Sequence, residues 1–329
     1  MIHPPLAAWH VDAAHRSAPL GDLRLESGEV IRDFHQSYVT HGRLSPDGSN
    51  AILVCSAITG THHRLDFLVG PGKALDPARW FVVATDAIGN GITTSPSNSA
   101  LQPRMAFPRF TIRDMVEAQR RLLVETLGIE RLHAVVGASM GGMQALQWGA
   151  SRPGMVGRIV AMTPMARTAP WAKLVLQTAR ACLTADPAWN GHEFTARPER
   201  GWRAYAGLMN ALLMKTPQAV DARTPTFDDI AAATLANGFD AHDYLYQSWA
   251  YEAHDIGDPA AISAPTLVLA PPLDLFNPAD AAREAAAAIP GARFVEIPSI
   301  EGHLAATPQD PADADFLNRV IAGFLRDPA

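Results

Sequence analysis

The sequence predicts an α/β fold: a doubly wound, mostly parallel central sheet interrupted by a helical insertion. Three observations lead there. Short apolar segments alternate with helix-patterned stretches through the first half, aromatic- and alanine-rich helical sequence occupies residues 166–258, and strand character returns before the C-terminus. With 329 residues and 48% hydrophobic content, the chain can fill one large core without crosslinks. The expected division is therefore a core of 1–165 and 259–329, with 166–258 inserted as a lid.

The elements follow in order. AILVCS (51–56) and WFVVAT (80–85) are apolar runs followed by polar or glycine-rich turns, the pattern of buried strands delivering loops to one sheet edge. TIRDMVEAQRRLLVETLG (111–128) opens on a capping Thr111, and Ile112, Met115, Val116, Leu122, Leu123 and Leu127 recur at near-helical spacing. LHAVVG (132–137) is the next strand, so strand, helix, strand is the local order and parallel pairing is expected. ASMGGMQALQWGASRP turns at once to helix, and RIVAM (158–162) supplies another buried strand. The inserted region contains WAKLVLQTARACLTADPAW, GWRAYAGLMNALLM and AHDYLYQSWAYEAHDI, all helical in character. PTLVLA (265–270), the alanine-rich AAREAAAAI, ARFVEIP (292–298) and the periodic FLNRVIAGFL complete a strand, helix, strand, helix ending.

Composition removes several function classes. Lys+Arg 27 against Asp+Glu 33 gives a net charge of -6, with no basic run or basic and aromatic stripe, so nucleic acid is not an expected partner. Cys55 and Cys182 stand far apart without metal-ligand spacing, which argues against a zinc ribbon and a disulfide scaffold. The opening MIHPPLAAWHVDAAHRSAP lacks an uninterrupted apolar segment, and no eighteen successive apolar residues occur, so the expected compartment is the cytoplasm with no membrane partner. GPGK (70–73) is not a full P-loop and GNG (89–91) lacks the third Rossmann glycine, so both are read as turns. His62 and His63 have no metal-site spacing and are read as a polar entrance or ordinary loop; no metal is expected.

GASMG, Gly137 through Gly141, fits G-x-S-x-G between an apolar strand and a helix, where a nucleophile elbow must lie. Ser139 is the expected nucleophile. A hydroxyl is weak at its ordinary protonation state, so it needs a base, and His303 in SIEGHLA beyond the last strand is the candidate. Asp274, beyond PTLVLA, is the candidate to orient that imidazole, with Asp280 as a nearby structural alternative. The backbone N–H groups of Met140 and Ile58, the latter in CSAITG, are the expected oxyanion donors, with Gly60 permitting close loop approach. Arg203, Tyr205, Tyr244 and Trp249 are candidate substrate contacts from the lid.

Beyond these residues, SNAILVCSAITG, GPGKALDPARWFVVATDAIGN, FPRFTIRDMVEAQRRLLVETLGIERLHAVVGASMGGMQALQW, ADPAWNG and FDAHDYLYQSWAYEAHDIG resemble the homoserine O-acetyltransferase family of the α/β-hydrolase superfamily, over most of residues 24–325. The resemblance implies an α/β-hydrolase core, a helical lid, an acyl-serine intermediate and a homodimer. Its nucleophile, acid and base fall on Ser139, Asp274 and His303, and its oxyanion donors near Ile58 and Met140. It departs at acceptor positions: the family's acceptor-carboxylate arginine falls on Ala206, beside Arg203, its G-S-T-G-P run is GNGITTSPS, the histidine before its A-L-T-G segment is Ser56, and G-H-D is GHL with Leu304.

The leading expectation is thus hydrolysis of a short-acyl carboxylic ester through Ser139, needing no cofactor. The alternative is O-acetyl transfer from acetyl-CoA to homoserine or a related alcohol, with the acceptor replacing water. A third reading is a noncatalytic binding protein that keeps the fold. The partners expected are a small ester, or an acyl donor with an alcohol acceptor.

Overall fold

A computed structural model describes residues 6–7, 9–223, 225–308 and 310–327. Eight strands form one sheet: β1 Arg16–Arg24, β2 Val30–His41, β3 Ala51–Cys55, β4 Phe81–Thr85, β5 Ala134–Ala138, β6 Ile159–Met162, β7 Thr266–Ala270 and β8 Arg293–Glu296. Their order is β1-β2-β4-β3-β5-β6-β7-β8. The pairs β1/β2 and β2/β4 are antiparallel and the rest are parallel.

The central strands are continuous apolar runs because both faces are covered. On β3, Leu53 belongs to the core layer shared with Met115 and Leu146, while Ile52 and Val54 point into the opposite layer with Leu317 and Ile321. Helices α1 (Ile112–Arg121) and α2 (Met140–Ser151) thus pack on one face, and the C-terminal helix Pro311–Arg326 on the other. Thr111 caps α1 as its sequence suggests: the Asp114 N–H donates to the Thr111 hydroxyl and the Asp114 carboxylate accepts from the Thr111 N–H, a capping box. One π-helical turn, Leu122–Thr126, extends that helix.

Strands β1 and β2 were not anticipated. β1 carries Pro19 and Gly21 and its register shifts between them, whereas β2 buries polar Gln36 and Ser37. Those polar groups are satisfied inside: the Gln36 amide donates to the Asp86 carbonyl and the Ser37 hydroxyl to the Asp86 carboxylate. A reading that looks for apolar runs passes over such a strand.

Between β6 and β7 the described residues form five α-helices, α3 Pro170–Thr184, α4 Glu199–Tyr205, α5 Pro217–Arg223, α6 Phe227–Ala236 and α7 Ala241–Glu252, with a π-helical stretch Ala206–Leu213 continuing α4. This insertion is consistent with a lid region. Helix α8, Ala279–Ala288, is the alanine-rich segment, and α9 is Pro311–Arg326. Among the described residues no helix is long and apolar enough to cross a membrane.

Candidate active site

Ser139 sits between β5 and α2 with φ 56° and ψ -122°, a region that residues with side chains seldom occupy. The turn is held on both sides. The Ser139 N–H donates to the Met162 carbonyl at 2.9 Å, and its carbonyl accepts from the Met143 N–H at 2.9 Å. The flanking glycines are required by space: a Cβ at Gly137 would lie 2.1 Å from the Gly141 carbonyl oxygen, and one at Gly141 would lie 2.3 Å from that of Cys55. The elbow therefore packs backbone against backbone and lifts one hydroxyl off the sheet edge.

Two other strand ends bring the partners. His303 lies on the short turn Gly302–Ala306 after β8, and its Nε2 is 2.8 Å from Ser139 Oγ. Asp274 lies after β7, and its Oδ2 is 2.7 Å from His303 Nδ1. Its second oxygen, Oδ1, accepts from the N–H groups of Phe276 and Asn277 at 2.9 and 2.8 Å. That carboxylate is thereby fixed in plane, and all three side chains are buried. Asp280, the alternative acid, is exposed on α8 and pairs with Arg283 at 3.0 Å. The three residues form a serine, histidine and aspartate triad suited to ester hydrolysis or acyl transfer through a serine nucleophile.

A further group touches the serine. The Tyr251 hydroxyl on α7 lies 3.3 Å from Ser139 Oγ and donates to Asn277 Oδ1 at 2.8 Å, while the Asn277 amide donates to the Thr163 carbonyl at 2.7 Å. Burial pushes the Tyr251 phenol far above its ordinary pKa, so it stays protonated. Tyr251 lies in the AHDYLYQSWAYEAHDI segment but is not one of the candidate contacts. Helical spacing alone does not say which ring faces the elbow.

Of the expected oxyanion donors, Ile58 lines the same space and Met140 directly follows Ser139. Met140 is the first residue of α2, so its N–H has no intrahelical acceptor. In the CSAITG turn, Gly60 N–H closes onto the Ala57 carbonyl at 3.0 Å and Thr59 N–H donates to Gln247 Oε1 at 2.9 Å. The Ile58 N–H between them has no protein acceptor among the described residues. Ser139, His303 and Ile58 open on a cavity of about 150 Å³ whose other walls include Arg64, Trp202, Tyr205 and Phe276.

The candidate substrate contacts divide. Tyr205 lines the cavity. Tyr244 is packed behind it, ring edge to face at 5.0 Å, and Trp249 lies against Arg109 and Tyr246, neither lining the cavity. Arg203 is not brought there either: its guanidinium turns to Asp228 at 2.6 Å on the lid surface, because the start of α6 offers a carboxylate there. Arg64, which sequence analysis passed over, is the arginine that reaches the cavity.

The α/β hydrolase fold family matches residues 50–305. The chain belongs to this family. Within the α/β-hydrolase family it is related to homoserine O-acetyltransferases and to esterases. It is 35% identical over 271 residues to the homoserine O-acetyltransferase of Geobacter sulfurreducens, covering 71% of this chain and 73% of that one. The crystal structure of an acetylester hydrolase from Corynebacterium glutamicum superposes with a TM-score of 0.90 at 30% identity, over 95% of this chain and 96% of that one. A homoserine O-acetyltransferase from Bacillus anthracis superposes with a TM-score of 0.84 at 26% identity, over 96% and 98%.

One polar cluster of this α/β hydrolase differs from its expected placement. His62 and His63 are not a polar entrance or an ordinary loop: both are buried, with His62 Nδ1 2.8 Å from Asp86 Oδ2 and His63 Nδ1 2.6 Å from Asp66 Oδ2. One ligand atom from each of His15, His62 and Asp86 lies within 4.8 Å of the others, a grouping that only folding creates. Direct hydrogen bonds already join Asp86 to His62 and Ser37, which gives the cluster a structural role between β2, β4 and the turn after β3.

Proposed function

We propose that the protein hydrolyses small carboxylic esters with a short acyl group through an acyl-serine. The observation that carries this reading is the continuous hydrogen-bonded chain from Asp274 through His303 to Ser139, opening on a small cavity. Ser139 Oγ attacks the ester carbonyl carbon while its proton passes to His303 Nε2. The Met140 and Ile58 N–H groups, fixed before reaction, stabilise the negative oxygen that develops. His303 returns the proton to the departing alcohol, leaving an acyl-serine. Water then attacks the acyl carbon and gives a proton to His303, which passes it to Ser139 Oγ as the acyl–oxygen bond breaks and the carboxylic acid leaves.

Three observations favour water over an alcohol as acceptor. Ala206 stands where the related transferases place their acceptor arginine, and Arg203 is engaged by Asp228. The likeness in fold and identity to an acetylester hydrolase extends over nearly the whole chain. The cavity is also small beside the roughly 300–1,000 Å³ of pockets that hold drug-sized ligands. Acetyl transfer from acetyl-CoA to homoserine or a related alcohol is the second reading, favoured by the relation to homoserine O-acetyltransferases. We further propose that residues 166–258 act as the lid of one core formed by the rest. The free thiols Cys55 and Cys182 suit a cytoplasmic protein.

The test compares acid release from 4-nitrophenyl acetate with coenzyme A release from acetyl-CoA, with and without homoserine. We expect acceptor-independent ester hydrolysis that falls by roughly 10⁴-fold or more in Ser139→Ala. Homoserine-dependent coenzyme A release outpacing ester hydrolysis would overturn the hydrolase reading, and full turnover in Ser139→Ala would overturn both.

A further inference from the structure

Arg64 belongs to the turn His62–Leu68 that follows the CSAITG loop, and it lines the cavity together with Ser139 and His303. Among the residues lining that cavity it is the one with a permanently charged side chain, and no Asp or Glu is present there. Among the described residues no carboxylate lies within salt-bridge distance of its guanidinium, and no group accepts a hydrogen bond from it. Its Nε is hidden from water and unpaired.

The neighbouring acids are already taken. Asp66 accepts from His63 and from the Val11 N–H, and Asp86 accepts from His62, Ser37 and Asn90. Burial lowers the Arg64 pKa from its ordinary value, but a guanidinium starts so high that it keeps its charge. Arg64 is half-buried, with Nε hidden and unpaired, so a guanidinium without an acidic partner faces the cavity, and an anion bound there would supply one. The cavity's aromatic and aliphatic walls, Trp202, Tyr205, Met209 and Phe276, leave the guanidinium as its one cationic anchor.

We propose that Arg64 binds a carboxylate carried by the substrate, so that the preferred esters are small and acidic. This rests on the ester-hydrolase reading of the same site and names the substrate class for it. A planar guanidinium fork matches a carboxylate through two parallel hydrogen bonds. One cation balances one negative charge, which favours a carboxylate over a phosphate dianion.

The experiment uses two acids: acetoxyacetate, with its carboxylate on the alcohol side of the ester, and monomethyl succinate, with its carboxylate on the acyl side. Each is compared with its uncharged primary-amide counterpart, in wild type, Arg64→Gln and Arg64→Lys. The readout is the ratio of kcat/KM for the acid to that for its amide, which a partly misfolded preparation does not alter. In wild type we expect a ratio of roughly tenfold or more for one of the two acids, carried by KM. The ratio should drop by at least that factor in Arg64→Gln and return in part in Arg64→Lys. The acid that shows it identifies the side of the ester that Arg64 faces. A wild-type ratio near one, or an equal ratio in wild type and Arg64→Gln, overturns the assignment and leaves ester hydrolysis standing. If wild type cleaves neither acid nor amide, the ester reading stands or falls on 4-nitrophenyl acetate, and calorimetric binding of succinate to wild type and Arg64→Gln decides the anion site: loss of binding in the variant supports it, and equal or absent binding removes it.

Discussion

Asp274→Asn separates an orienting acid from a merely nearby one, and its effect can be worked out from the hydrogen bonds. Oδ1 of Asp274 accepts from two backbone donors, the N–H groups of Phe276 and Asn277, while Oδ2 accepts from His303 Nδ1. An asparagine in the same place has one oxygen and one NH₂. Turning the NH₂ toward two N–H donors would set donor against donor, so the amide oxygen takes the Oδ1 position and the NH₂ faces His303. The imidazole must then accept at Nδ1 and carry its proton on Nε2, the nitrogen 2.8 Å from Ser139 Oγ. In that tautomer it cannot take the serine proton. In a triad this costs roughly 10⁴-fold in kcat, or about 5.4 kcal/mol of barrier. The assay is kcat on 4-nitrophenyl acetate, with thermal melting to show that the fold persists. A loss smaller than about tenfold in a folded Asp274→Asn would refute the tautomer argument and with it the assignment of Asp274.

Two further outcomes follow from the same geometry. Tyr251→Phe should lower thermal stability, since Asn277 Oδ1 loses its buried donor at a cost of about 1–3 kcal/mol, while kcat falls less than about tenfold because the 3.3 Å contact to Ser139 is long; a loss beyond a hundredfold, measured in folded protein, would give Tyr251 a part in the chemistry. His254 is buried and donates through Nε2 to the Met165 carbonyl, and burial pushes its pKa from 6.5 down to about 4. Between those values the unfolded chain binds a proton that the folded chain refuses, so stability is full above 6.5, declines as pH falls toward 4, and flattens below. The decline amounts to about 3 kcal/mol, and urea denaturation should show it diminished in His254→Gln, which can still donate to Met165; an undiminished pH dependence in that variant would contradict the assignment.

What was legible in the sequence tracks how much of each feature is local. β3, β5, β6 and β7 are buried on both faces and read as uninterrupted apolar runs, and the elbow is a five-residue pattern in a strand-to-helix context. β1 and β2 were missed because their burial depends on partners far along the chain: Ser37 and Gln36 are tolerable inside only once Asp86 and Thr93 arrive to bond them. For His62 the reason is the same, since its partner Asp86 lies on another strand end, whereas His63 pairs with Asp66 three residues on and its burial, not its partner, is what the local sequence does not show.

The two arginines make the sharpest case. Arg203 lies three residues before Ala206, the position where the family resemblance implies an acceptor arginine, but sequence proximity does not fix direction and Asp228 captures its side chain on the surface. Arg64 had no such neighbour to recommend it. The signal available was positional: it follows the loop leaving β3, and in parallel sheets of this kind ligands gather outside the carboxyl ends of the strands. That loop also carries Ile58, one of the expected oxyanion donors, so a charged residue six positions further on is near the chemistry by construction. Whether such a charge meets an acid is decided by the fold: His62 pairs with Asp86 and His63 with Asp66, and among the described residues no carboxylate lies within ion-pair distance of Arg64, whose side chain lines the cavity.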